Sequence, residues 1–218
     1  MDITASGRTF TLCVFCGSSK GNHEFYMQGA KDLAEQMAAK SWSLLYGGGS
    51  LGLMGLLASS LVEIRGPNSV HGIIPRAFLQ TGKVGDELPD VQKYGHTTVV
   101  STMHERKRLM LDHSEAFVAL PGGYGTMEEL FEMTTWSQLG IHNRPIVIFN
   151  INGFFDDLLN WVHKAVREGF ISESLEGIIY EAKTAQEVVD CVERYQDVAG
   201  RYTFLDWSIP SNVVENAS

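Results

Sequence analysis

Stretches of this chain with strand character run straight into clusters of small residues, and each cluster opens onto a helical pattern. Thr9–Phe15 (TFTLCVF) ends at Cys16-Gly17-Ser18-Ser19, Ser43–Tyr46 at Gly47-Gly48-Gly49, and Ala116–Leu120 at Pro121-Gly122-Gly123. Short apolar runs bounded by turn residues and followed by a 3.6-residue period define strand–turn–helix units. In the expected helix Asn22–Lys40, the residues Tyr26, Ala30, Leu33, Ala34 and Met37 share a face; Leu53, Leu56, Leu57 and Leu61 do so after Ser50. Val70–Ile74 reads as a third strand, Pro145–Phe149 as a fifth, and Gly177–Tyr180 as a weaker one. Further helices are expected at about Met103–Asp112, Thr126–Leu139, Phe154–Glu168 and Ala185–Tyr195, with Gln80–Gly95 as a loop. Strands alternating with helices predict an α/β fold: a doubly wound parallel sheet with helices on both faces. Ligands of such sheets sit beyond the carboxyl ends of the strands, so the three small-residue turns should converge on one rim.

The organisation expected is a single domain over residues 1–200 and a tail over 201–218, with Phe204 and Trp207 as candidate anchors of that tail. The 17 Lys and Arg against 26 Asp and Glu give a formal charge of −9. Binding to a nucleic-acid polymer normally needs a basic excess, so that class is disfavoured, although a single nucleotide in a local cradle is not. Three cysteines argue against a disulfide framework and suit a reducing compartment. MDITASGRTF has no apolar core of signal-peptide length, and no run approaches a membrane span. The expectation is a cytoplasmic protein without a membrane partner.

The strongest local signal is Pro121-Gly122-Gly123-Tyr124-Gly125-Thr126-Met127-Glu128-Glu129. Glycines let the backbone approach an anion, and the helix that follows aims free N–H groups and a positive dipole end at the same place. This is a phosphate cradle that needs no lysine. No GKS or GKT follows it, and no turn has the dinucleotide fingerprint with its distal acidic residue. Thr126-x-x-Glu129 also fits a capping box on spacing alone. In Thr102-Met103-His104-Glu105-Arg106-Lys107-Arg108, Thr102 and Glu105 fit a second cap, and Arg108 faces Glu105 and Asp112 as in a solvated charge network. Arg106 shares a stripe with Met103 and Met110, which should face inward, and an inward Arg needs an anion. A ligand phosphate or Glu129 would serve; a purely structural salt bridge is the alternative. The series Gly48, Gly49, Gly52 and Gly55 suits a tight turn but is weak evidence by itself. Cys13-x-x-Cys16 has no second pair and its members face opposite sides of a strand, so neither zinc nor a redox pair is expected. His104 reads as a surface residue, Cys16 lacks an orienting His, and no metal site is visible.

MHERK at Met103–Lys107 followed by PGGYGTMEE at Pro121–Glu129 resembles the LOG ("lonely guy") family of cytokinin riboside 5′-monophosphate phosphoribohydrolases, long mislabelled as lysine decarboxylases. The family patterns PGGxGTxxE and MHxRK are both intact, and the likeness runs from about Thr9 to Tyr195. The resemblance implies a Rossmann-like sheet, a homodimer with sites near the subunit interface, and no cofactor. It implies that Arg106 and Glu129 are the catalytic pair. It further implies substrate contacts at Met103, Lys107, Gly122, Gly123, Tyr124, Gly125, Thr126, Glu128 and Thr135, with Gly17, Ser18, Gly48 and Gly49 contributed by the other two turns. The implied reaction is hydrolysis of N6-substituted adenosine 5′-monophosphates to the free base and ribose 5-phosphate. A general AMP or nucleoside 5′-monophosphate nucleosidase and a molybdenum-cofactor-carrier-like binding protein are the alternatives; lysine decarboxylation is the weakest.

Overall fold

The computed structural model describes residues 9–79 and 88–208. Its seven strands form one sheet in the order β4-β3-β2-β1-β5-β6-β7, every pairing parallel. They are β1 (Thr11–Phe15), β2 (Ser43–Tyr46), β3 (Val70–Pro75), β4 (His96–Val100), β5 (Ala116–Ala119), β6 (Ile146–Phe149) and β7 (Ile179–Ala182). The helices are α1 (Glu24–Ala39), α2 (Gly52–Arg65), the single turns α3 (Arg76–Leu79) and α4 (Val91–Tyr94), then α5 (Met103–Asp112), α6 (Tyr124–Gln138), α7 (Asp156–Arg167) and α8 (Ala185–Glu193).

The period-2 alternation of β1 divides the core in two. Leu12 and Val14 join Leu33 and Met37 of α1, Leu57 and Leu61 of α2, and Val188 and Val189 of α8. Cys13 and Phe15 join Met110 of α5, Leu130 and Met133 of α6, and Phe155 on the opposite face. The doubly wound architecture expected from the alternating pattern is therefore present. Cys13 and Cys16 lie on opposite sides of the sheet, and all three cysteines are free thiols.

Three features depart from the sequence reading. β4 was absent from it, because HTTVV is an edge strand in which only Val100 is buried, so no apolar run marks it. Part of the stretch assigned to a loop, Val91–Tyr94, forms α4, whose Asp90 cap accepts from the Gln92 N–H; residues 80–87 of that loop lie outside the described residues. α6 begins at Tyr124 rather than Thr126.

Past α8 the chain returns to the far end of α6. Arg201 is buried and donates to Ser137 Oγ at 2.9 Å, with Tyr195 and Asp197 as further partners. The Tyr202 N–H donates to the Gln138 carbonyl and Trp207 Nε1 to the Leu139 carbonyl, both at 2.9 Å. Phe204, by contrast, is 80% exposed, its ring tilted against that of its near neighbour Tyr202.

Candidate active site

The three turns lock together through their backbones. The Gly17 N–H donates to the Pro121 carbonyl at 3.0 Å, and the Leu53 N–H donates to the Gly17 carbonyl at 3.1 Å. Gly52 has φ +60°, and a Cβ there would lie 2.4 Å from the carbonyl carbon of Ser18, so only glycine lets the second turn close on the first. The turns after β1 and β5 meet where chain connections leave in opposite directions, the switch point at which such sheets take ligands. A cavity of about 320 Å³ opens there, lined by Gly17, Ser18, Lys20, Tyr26, Gly122 and Phe154.

Gly123 is the N-cap of α6 and has no side chain to satisfy the free N–H groups of the first turn. Those groups therefore remain available to an anion. Tyr124 and Gly125 follow on the exposed first turn, and Thr126 is buried one position further. The capping box proposed for Thr126 and Glu129 does not form, since Thr126 is already inside the helix. The corresponding cap on α5 does form: Thr102 Oγ1 accepts from the Glu105 N–H at 3.1 Å, and Glu105 accepts from the Ser101 N–H at 2.8 Å.

Glu129 instead turns inward. Its carboxylate meets the Arg106 guanidinium at 2.7 Å, and both side chains are almost wholly buried. Arg106 also contacts Met103 Sδ at 3.8 Å; of the stripe read from the spacing Met110 is buried, whereas Met103, at the start of the helix, is exposed. The Arg106 Nε donates to nothing among the described residues. Burial raises the Glu129 pKa, and the charges of Glu128 and Glu132 add to that effect; Arg106 and Lys107 oppose it without cancelling it. Next along α5, the buried ammonium of Lys107 is held by Glu128 and by Glu132, the latter at 2.8 Å. Burial alone would lower its pKa, but its interactions with Glu128 and Glu132 outweigh burial and leave it raised.

The other candidates are placed less tightly. Ser18 is exposed at the cavity, and Thr135 is exposed two turns beyond Glu128 on α6. Gly48 is buried against Ile73 and Ile74, and Gly49 lies under Met54, so both glycines are walled by packing. His104 is exposed, as expected. Burial, reinforced by the Glu129 charge, drives the Cys16 thiol far above its ordinary range, which leaves no thiolate at neutral pH. Sequence reasoning missed Gly47, whose absent side chain makes room for Arg106, and Glu132. The signal for Glu132 was its spacing, one helical turn beyond both Glu128 and Glu129. Among the described residues, no group of three or more His, Cys, Asp or Glu could hold a metal ion, and no helix is long and apolar enough to cross a membrane.

A parallel sheet with helices on both faces, whose strand-end turns meet at its switch point, places the chain in the Rossmann-like class of α/β proteins. Within that class, residues 54–192 match the family described as "Possible lysine decarboxylase". The chain belongs to that family, and among its members to the cytokinin riboside 5′-monophosphate phosphoribohydrolases. It is 46% identical over 183 residues to a probable enzyme of that name from Oryza sativa subsp. japonica, covering 84% of this chain and 83% of the relative. It is 45% identical over 199 residues to one from Arabidopsis thaliana, covering 91% and 89%. A bifunctional cytokinin biosynthesis protein of Fusarium pseudograminearum is 47% identical over 193 residues, 84% of this chain but 40% of that protein. Among solved structures, the molybdenum cofactor binding protein of Rippkaea orientalis superposes with a TM-score of 0.62 at 20% identity, covering 86% of this chain and 98% of that one. The Moco carrier protein of Chlamydomonas reinhardtii does so with 0.60 at 19%, covering 85% and 96%. At that identity the likeness concerns the fold.

Proposed function

We propose that this chain hydrolyses the N-glycosidic bond of N6-substituted adenosine 5′-monophosphates, releasing the free cytokinin base and ribose 5-phosphate. The observation that carries this reading is the buried 2.7 Å pair of Arg106 and Glu129 beside an uncapped helix N-terminus. Cleavage of the bond builds positive charge on the ribose, as in other oxocarbenium-like glycosyl transfers. Glu129 stabilises that charge and takes a proton from the water that attacks the anomeric carbon. Arg106 favours the ionised form of Glu129 against the effect of its burial. The N–H groups of Gly123 to Thr126, with Gly17, Ser18 and Gly122 alongside, anchor the 5′-phosphate. Lys107, Glu128, Met103 and Thr135 face the rest of the nucleotide. Remote phosphate binding then positions the ribose over the carboxylate.

The test is chromatographic detection of free base from a panel holding N6-substituted AMP, plain AMP and the unphosphorylated riboside. Release from the N6-substituted monophosphate, and hardly any from the riboside, is expected. Equal rates on monophosphate and riboside would remove the phosphate anchor; equal rates on plain and N6-substituted AMP would make the chain a general nucleosidase. Pyridoxal absorbance in the purified protein would revive the decarboxylase reading. The same reading includes a homodimer, checked by sedimentation, and a cytoplasmic location, which three free thiols support.

A further inference from the structure

The contact between α5 and α6 carries more charge than the Arg106–Glu129 pair uses. Three carboxylates of α6, Glu128, Glu129 and Glu132, meet two adjacent cations of α5, Arg106 and Lys107. Lys107 has two holders of unequal character. The Glu128 side chain is 48% exposed at the open rim and accepts a hydrogen bond from Lys107, whereas Glu132 is 20% exposed and its Oε2, closed off from solvent and without a hydrogen bond, lies 2.8 Å from the ammonium as an ion pair. Residues four apart on a helix are neighbours, so these two carboxylates repel unless a cation lies between them. A buried ammonium stripped of every partner is strongly unfavourable.

In the function proposed above, on which this step rests, Glu128 contacts the nucleotide and so leaves Lys107. We infer that Glu132 is a positioning residue for the reaction: it keeps hold of Lys107 when Glu128 turns to the substrate, and so keeps Arg106 set on Glu129. Successive residues on a helix point about 100° apart, so pinning Lys107 fixes the rotation of α5 that aims Arg106. The electrostatics agree in direction. Lys107 is a charge that lowers the Glu129 pKa, and it weighs more there than Glu132, which raises it.

The experiment compares Glu132→Gln, Glu132→Asp and Glu128→Gln with the parent protein, each checked for folding by circular dichroism. Nitrogen-15 NMR of the lysine ammonium groups reads the clamp without turnover. With the products bound, ribose 5-phosphate and the free base, a protected Lys107 signal should persist in the parent and in Glu128→Gln, vanish in Glu132→Gln and be partly retained in Glu132→Asp. With N6-isopentenyl-AMP, Glu132→Gln should lower kcat about ten- to a hundredfold, the scale of a small misplacement of reacting groups, with a lesser change in KM. Glu128→Gln should act mainly on KM. Because Lys107 is lost along with the Glu132 charge, the acid limb of the rate profile should move to higher pH in Glu132→Gln. A limb that stays or moves lower, or a protected ammonium in the product-bound Glu132→Gln protein, overturns the inference. A parent protein that cleaves no nucleoside 5′-monophosphate overturns the proposed function instead, and the ammonium signal still decides which carboxylate holds Lys107.

Discussion

Gly47 illustrates how a residue without a side chain can decide the site. A Cβ there would come within 2.6 Å of the Arg106 guanidinium, which is pinned on Glu129 and cannot swing aside. Gly47→Ala should therefore fold normally but lose about tenfold or more in kcat/KM by displacing Arg106; wild-type kinetics in a steady-state assay would show that the guanidinium has room to shift. Glu129→Gln should keep the fold and lower kcat about 10²–10⁴-fold, the usual contribution of a positioned acid–base group. In the proposed mechanism Glu129 acts in its ionised form, and its pKa is raised, so activity should fall on acidification from a pH above the usual glutamate value of about 4.3. A pH profile of kcat/KM reads this limb. Arg106 was legible in the sequence because it lies one helical turn from Met110, which is buried, although Met103 at the other end of that stripe is exposed. The inward turn of Glu129 was not, because the same spacing equally fits a cap, and only the helix start at Tyr124 separates the two.

Elements were legible in proportion to their burial. β1, β2, β3, β5 and β6 are apolar runs ending in turn residues, and the sequence reading locates all five. β4 escaped because an edge strand needs no apolar alternation; its place is set by register with β3, from His71–His96 to Pro75–Val100. The connection from α6 to β6 depends on a group that spacing could not reveal. His142 is buried, with Nε2 2.8 Å from the Met133 carbonyl and Nδ1 accepting from the Arg144 N–H at 3.2 Å. That pairing suits only the neutral ring, and burial is the main cause that lowers its pKa to about 4. Below its unfolded value of about 6.5 the unfolded chain takes up a proton that the folded chain refuses, so stability falls with pH. The loss should reach about 3 kcal/mol at pH 4. Thermal melts at pH 7 and pH 4.5 should show it, and His142→Gln should show a smaller difference between the two.

On the scale of the whole molecule, the tail is part of the fold's closure. Arg201 ties the chain beyond α8 to Ser137 near the end of the helix that begins at the anion cradle. Arg201→Met would leave the wholly buried Ser137 hydroxyl without this partner, a loss of about 1–3 kcal/mol measurable by urea denaturation. The acidic total was legible from composition and bounds the ligand rather than forbidding it: the positive potential of the site is local, from a backbone N-terminus, Arg106, Lys107 and Lys20 at the cavity wall.

The position of β1 at the middle of the sheet bears on how the chain comes together during synthesis. On one flank β1 pairs with β2, about thirty residues away, and β3 and β4 extend that flank in turn. On the other flank its partner is β5, about a hundred residues downstream. Local pairings form early and distant ones late, since a long loop must be closed before the contact repays it. A nascent chain that has left the ribosome as far as β4 can assemble half a sheet, yet it has neither cradle nor ion pair. Catalytic competence arrives in one late step, when β5 docks and brings α6 with it.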